Sequence, residues 1–180
     1  MKSLITLFTL FFSVFIFAQD FQFEEVVKID SSITKDELFN RARTWANENF
    51  KSRNNITTTE DRESGEISGS GIYDYRTEEK YKGRACVEGP VKYKFNIYLK
   101  DGRYKYIFHS FDHKGSKGSG CRPVNYGIIT KSEEAPAQGK GIQYNLGYAD
   151  VKLKLNDHIN RLIFSLKRTV TKQYEGSKDW

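Results

Sequence analysis

The chain has 180 residues, with 29 Lys and Arg against 23 Asp and Glu for a formal charge of +6, and 14% of it is aromatic. That length fits one domain with at most an appendage, the aromatic content excludes a disordered chain, and two cysteines are too few for a disulfide-dense miniprotein. Beyond the N-terminus no apolar run approaches the roughly 20 residues of a membrane span.

Residues 1–18 read as a secretory signal peptide. Lys2 supplies the positive n-region, Leu4 to Phe17 the apolar h-region, and Ala18 the small residue before the cut. The run is too short for a lasting anchor, so the expected mature chain starts at Gln19 and is periplasmic or extracellular, with no stable membrane span.

Phe21, Phe23, Val27 and Ile29 fall on one side of a period-two pattern and predict a first strand. Thr34 and Glu37 have the spacing of a capping box, and Ile33 and Leu38 that of a hydrophobic staple. The helix they open runs from Lys35 to Phe50, with Leu38, Ala42, Trp45 and Ala46 as its apolar stripe. A Thr-rich strand from Asn55 to Asp61, a turn at Arg62 to Gly65 and a strand from Glu66 to Tyr75 follow. Gly69 and Gly71 alternate in that strand and predict a close approach by a packed helix.

The strongest pattern is a hairpin over Val91 to Phe111. Val91, Tyr93, Phe95, Ile97 and Leu99 alternate with polar positions, Asp101-Gly102 suits a type I′ turn, and Tyr104, Tyr106 and Phe108 resume the alternation. A two-residue turn sets Leu99 opposite Tyr104, Ile97 opposite Tyr106 and Phe95 opposite Phe108. One face is then apolar, and the other carries Lys92, Lys94, Tyr98, Lys105, Ile107, His109 and Phe111.

Residues 113–149 hold half the glycines and two of the three prolines, which predicts a long Gly-rich loop. A last helix spans 150–173, where Val151, Leu155, Ile159, Leu162, Leu166 and Val170 keep helical spacing, and residues 174–180 form a tail. Cys86 and Cys121 stand 35 positions apart, and a lone pair in an exported chain is expected to close as a disulfide, contributing about 4 kcal/mol by loop entropy. The predicted architecture is α+β: a twisted antiparallel sheet of about five strands with two helices on one face, a core over residues 19–112 completed by the last helix.

Several of these segments carry a resemblance. Phe23 to Ile29, the ITKDELFNRARTWANENF helix, DRESGEISGSG and the YLKDGRYKYIFHSF hairpin resemble an exported domain-of-unknown-function family from Bacteroidetes-type bacteria. The resemblance covers about Phe21 to Phe111 and, in a general way, the last helix. It implies a TATA-box-binding-protein-like fold in β-α-β4-α order and an exported habit, and it brings no catalytic residues.

Catalytic and metal motifs are few. His109 and His113 share one face of an extended strand with Phe111 between them, at about 13–14 Å, too far apart for one metal ion. Asp61, Glu63 and Glu66 gather at a turn, where carboxylates share water. The GSKGSG run at 115–120 lacks the spacing of a phosphate-binding loop. No catalytic residue, metal or cofactor is implied. The positive charge is spread along the chain rather than clustered, which argues against nucleic acid as a partner. The expected function is a non-enzymatic binding module of the cell envelope, acting through the open sheet face or the Gly-rich loop on a protein or an anionic polymer. Its alternatives are an envelope enzyme with a site near His109 and His113, and a structural accessory domain without a dedicated ligand.

Overall fold

In a computed structural model the described residues are 20–50, 58–78, 84–116, 122–136 and 142–171. The signal-peptide and tail expectations, and Cys121, lie outside them.

In chain order the elements are β1 (Phe23–Lys28), α1 (Lys35–Phe50), β2 (Thr58–Asp61), β3 (Glu66–Tyr75), the single turn α2 (Arg84–Val87), β4 (Gly89–Lys100), β5 (Arg103–His113), β6 (Gly127–Ile128) and α3 (Ile142–Thr171). The strands form one antiparallel sheet ordered β1-β5-β4-β3-β2. β6 pairs with β5 at Asp112 and His113, past the point where β1 stops.

One sheet face is packed by α1 and α3, which also pack on each other. Its strand residues alternate as period two requires: Ile67 and Tyr75 of β3, Val91 to Leu99 of β4, and Tyr104, Tyr106 and Phe108 of β5 are all buried. From α1, Leu38, Ala42, Trp45 and Ala46 meet them, and Trp45 sets its ring edge-on to Phe95 at 5.8 Å and Phe108 at 6.4 Å. From α3 come Val151, Leu155, Ile159, Leu166 and Val170.

The hairpin register is as expected, with Leu99 opposite Tyr104, Ile97 opposite Tyr106 and Phe95 opposite Phe108. The turn is not type I′, because Gly102 is left-handed at φ 66° and Asp101 is not. Tertiary bonds set it instead: Asp101 Oδ1 accepts from the Lys35 amide at 2.6 Å, and the Gly102 amide donates to the Ile33 carbonyl at 3.0 Å. The turn thereby helps cap α1. Thr34 Oγ1 accepts the Glu37 amide at 3.3 Å as a capping box requires, whereas Glu37 reaches forward to Arg41 Nε at 2.7 Å rather than back to Thr34.

At Gly71 the nearest atoms belong to a strand side chain, while both helices also pack on β3. Tyr93 lies opposite Gly71 on β4, and a Cβ at Gly71 would stand 2.3 Å from Tyr93 Cζ. The expected loop is also shorter than 113–149. β5 runs to His113, and α3 begins at Ile142, held in its first turns by buried Tyr148 and by Asp150, which accepts a short hydrogen bond from buried Tyr75 Oη. Gly147 inside this stretch had masked its helical pattern. The described part of the loop packs on that end of α3: Tyr126 Oη donates to the Tyr144 carbonyl at 2.8 Å, and Thr130 N to Tyr148 Oη at 2.9 Å.

Candidate functional site: the helix-free sheet face

Among the described residues, no helix packs on the opposite sheet face. Its rows run across β1, β5, β4 and β3 as the register dictates. Lys28, Arg103 and Lys100 stand side by side at the hairpin end. Next come Val26, Lys105, Tyr98 and Glu66, then Glu24, Ile107, Asn96 and Ser68. His109 and Lys94 follow beside Ser70, and Asp112 and Lys92 beside Ile72. Lys92, Lys94, Lys100, Arg103 and Lys28 are exposed, as are Val26, Ile72 and Tyr98.

Six of the seven residues expected here are present: Lys92, Lys94, Tyr98, Lys105, Ile107 and His109. Phe111 is not. It is fully buried on the helix side, edge-on to Phe21 at 5.8 Å and Phe23 at 5.9 Å. The cause is a β-bulge. Between the pairs Lys94–His109 and Lys92–Asp112, β5 has one residue more than β4, and Ser110 takes a left-handed φ of 56°. The extra residue reverses the inward–outward phase, so Phe111 and His113 turn into the core while His109 stays outside. The two histidines therefore occupy opposite faces and form no common site. His113 is wholly buried, its Nε2 2.8 Å from the Val87 carbonyl and its Nδ1 accepting from the Tyr126 amide at 3.3 Å. Burial holds its pKa below the usual histidine range. His158, on α3, is partly buried and stacks on Tyr73.

On the open face the charges divide into used and unused. Lys105 Nζ pairs with Glu24 Oε1 at 2.5 Å. Among the described residues, no ion pair engages Lys28, Lys92, Lys94, Lys100 or Arg103. At its centre lies a hydrogen-bonded chain that the sequence did not announce. Glu66 Oε1 accepts from Asn96 Nδ2 at 3.0 Å, Asn96 Oδ1 meets His109 Nε2 at 3.0 Å, and His109 Nδ1 meets Ser110 Oγ at 2.8 Å. Burial, with Lys94 in second place, lowers the His109 pKa, so the ring is neutral at neutral pH. Asn96, Ser110, Lys28, Lys100 and Arg103 were missed as site residues. One signal was present: the apolar spacing 104, 106, 108, 111 steps by three at its end, which marks a bulge.

Compared with known proteins, the sequence matches over residues 23–114 the family described as a domain of unknown function, DUF4468, with TBP-like fold. The chain belongs to the DUF4468 family. Two solved structures share its fold. A DUF4468 family protein from Bacteroides ovatus aligns with a TM-score of 0.62 at 14% identity, covering 87% of this chain and 90% of that one. A TBP-like protein from Parabacteroides distasonis aligns with a TM-score of 0.58 at 15% identity, covering 81% and 92%. No curated protein matches. The DUF4468 fold thus agrees with the order and layering read from the sequence, including the bacterial group of its relatives. The TBP-like label describes a shape, and DNA binding does not follow from it. Among the described residues of this DUF4468 chain, no helix is long and apolar enough to cross a membrane, and no three His, Cys, Asp or Glu side chains gather as a metal group.

Proposed function

We propose that this DUF4468 chain is an exported interaction module of the cell envelope that binds an anionic polymer across its helix-free sheet face. The observation that carries the reading is the row Lys28–Arg103–Lys100. Like charges directly opposite one another on neighbouring strands cost stability, and a surface built only for solubility intersperses both signs. Here three cations share one row, Lys94 and Lys92 stand farther along the face, Lys92 with Asp112 opposite it in the register, and none of the five has an ion pair among the described residues. Tyr98, Ile72 and Val26 add exposed apolar surface for the uncharged part of a ligand.

Export rests on the pattern of residues 1–18. A Cys86–Cys121 disulfide accords with an oxidising compartment. It is supported by the buried position of Cys86, by the Val124 amide donating to the Cys86 carbonyl at 2.9 Å, which brings the chain just after Cys121 alongside, and by the absence of a free cysteine among the described residues.

The test is a titration with dextran sulfate and with neutral dextran, followed by tryptophan fluorescence or calorimetry between 50 and 200 mM salt. Binding of dextran sulfate alone, weakening as salt rises and lost in a Lys94→Glu/Arg103→Glu variant, supports the reading. Equal affinity for both polymers, or no effect of the charge reversals, rejects it.

A further inference from the structure

The Glu66–Asn96–His109–Ser110 chain admits only one direction of hydrogen bonding. The Glu66 carboxylate accepts and cannot donate, so the Asn96 amide nitrogen faces it. Asn96 Oδ1 is then turned to the imidazole, and His109 Nε2 must carry the ring proton. In the neutral ring Nδ1 is therefore a bare lone pair, and the Ser110 hydroxyl, 2.8 Å away, donates to it. A hydroxyl on a neutral imidazole, with the imidazole oriented by a third group, is the arrangement that activates a serine.

Two further features set this serine apart. Adjacent residues on a regular strand point to opposite faces, so Ser110 reaches the ring of His109 only because the bulge turns the backbone between them. Ser110 also holds a left-handed φ of 56°, the one non-glycine residue to do so among those described. Glycine would take that conformation at lower cost, and strained positions of this kind gather at functional sites.

We infer that Ser110 is a nucleophile that accepts the acyl group of a carboxylic ester, with His109 as its base and Asn96 and Glu66 as positioning residues. Ser110 Oγ attacks the ester carbonyl, forming a new C–O bond as its proton passes to His109 Nδ1. The tetrahedral oxyanion collapses with loss of the alkoxide, which takes the same proton from His109 and leaves as the alcohol. Lys94 stands opposite His109 in the register, and its positive charge acts on that ring. The face is open, so a carbonyl displayed on an extended polymer can reach it. This inference goes beyond the binding reading and does not need it, since the reaction can be followed with a small uncharged reagent.

The experiment treats the full mature chain with a fluorophosphonate probe, in which the serine oxygen displaces fluoride at phosphorus, and locates the adduct by peptide mass. One adduct at Ser110 is expected. Ser110→Gly, which suits the left-handed φ and keeps the fold, should take none. His109→Gln and Asn96→Ala, checked for folding by circular dichroism, should slow labelling by roughly tenfold or more. The wild-type rate should fall with acidification as His109 takes up a proton, and that pH dependence should vanish in His109→Gln. Labelling of Ser110 no faster than that of exposed Ser64 or Ser132, or an unchanged rate and pH profile in His109→Gln, overturns the inference.

Discussion

The imidazole of His158 lies flat on the ring of Tyr73, centroids 4.6 Å apart, with Tyr93 Oη 3.3 Å from its Nε2. One residue comes from α3 and its two partners from β3 and β4, so this contact joins helix to sheet. Burial, reinforced by Arg161, pushes the His158 pKa down to about 4. The folded chain therefore holds the ring neutral, while the unfolded chain protonates it near its ordinary value of 6.5. The resulting contribution is fully present above that ordinary value and is lost as pH falls from it toward 4. Discounted for the water that reaches the ring, the loss between pH 7 and pH 5 is about 1 kcal/mol. Burial also depresses His109 and His113, which add loss of the same sign. His158→Gln isolates its share: the difference in urea midpoint between the two pH values should shrink relative to wild type. An equal pH dependence in both proteins would show that His158 is not held neutral by the fold.

Phe111 and Tyr98 should respond to truncation in opposite ways. Phe111 is inaccessible and touches Phe21, Phe23 and Tyr93, whereas Tyr98 stands on the open face at 36% exposure. Phe111→Ala should cost about 3–5 kcal/mol through the cavity it leaves, and Tyr98→Ala about 0.5 kcal/mol or less. Denaturant midpoints measure both. Equal costs would contradict the phase reversal at the bulge.

That pair of residues also marks where the sequence could be read and where it could not. Tyr98 was assigned to its face by period two alone, because nothing interrupts the alternation between Val91 and Leu99. The same rule failed at Phe111, since it assumes an unbroken ladder and Ser110 breaks it. Elements with local causes were legible: the limits of α1, the whole of β3 and the hairpin register. Elements with tertiary causes were not. β6 is two residues long and exists only because β5 offers an edge beyond Phe108, and the first turns of α3 depend on Tyr75 and Tyr148. The candidate site divides the same way. Its lysines followed from alternation along β4, but the Lys28–Arg103 neighbourhood needs the pairing of β1 with β5, which no turn announces.

Gly71 offers a test of the β3–β4 contact. A methyl group there would overlap the Tyr93 ring, with three ring atoms within 2.6 Å, and Tyr93 is itself buried between Gly71, Phe108, Phe111 and His158. Gly71→Ala should destabilise by about 1–3 kcal/mol through overpacking. In a Tyr93→Val background the same substitution should cost far less, because the overlapping atoms are gone. Additive effects in the double-mutant cycle would exclude the ring as the cause.

Arg103 stands between Lys28 and Lys100, which makes stability and binding separable at one position. In the folded chain its charge is repelled from both sides, a cost that the unfolded chain mostly escapes. Arg103→Glu replaces two like-charge neighbours with two opposite-charge pairs on an exposed surface, and should raise stability by about 0.5–1 kcal/mol at low salt. The gain should fade toward 1 M salt, where screening acts over a few ångströms. The same substitution should weaken dextran sulfate binding at every salt concentration at which binding is measurable. A variant that is more stable and binds less would mark the row as kept for a ligand at the expense of the fold. Loss of both properties would mean instead that Arg103 supports the hairpin through contacts other than its charge.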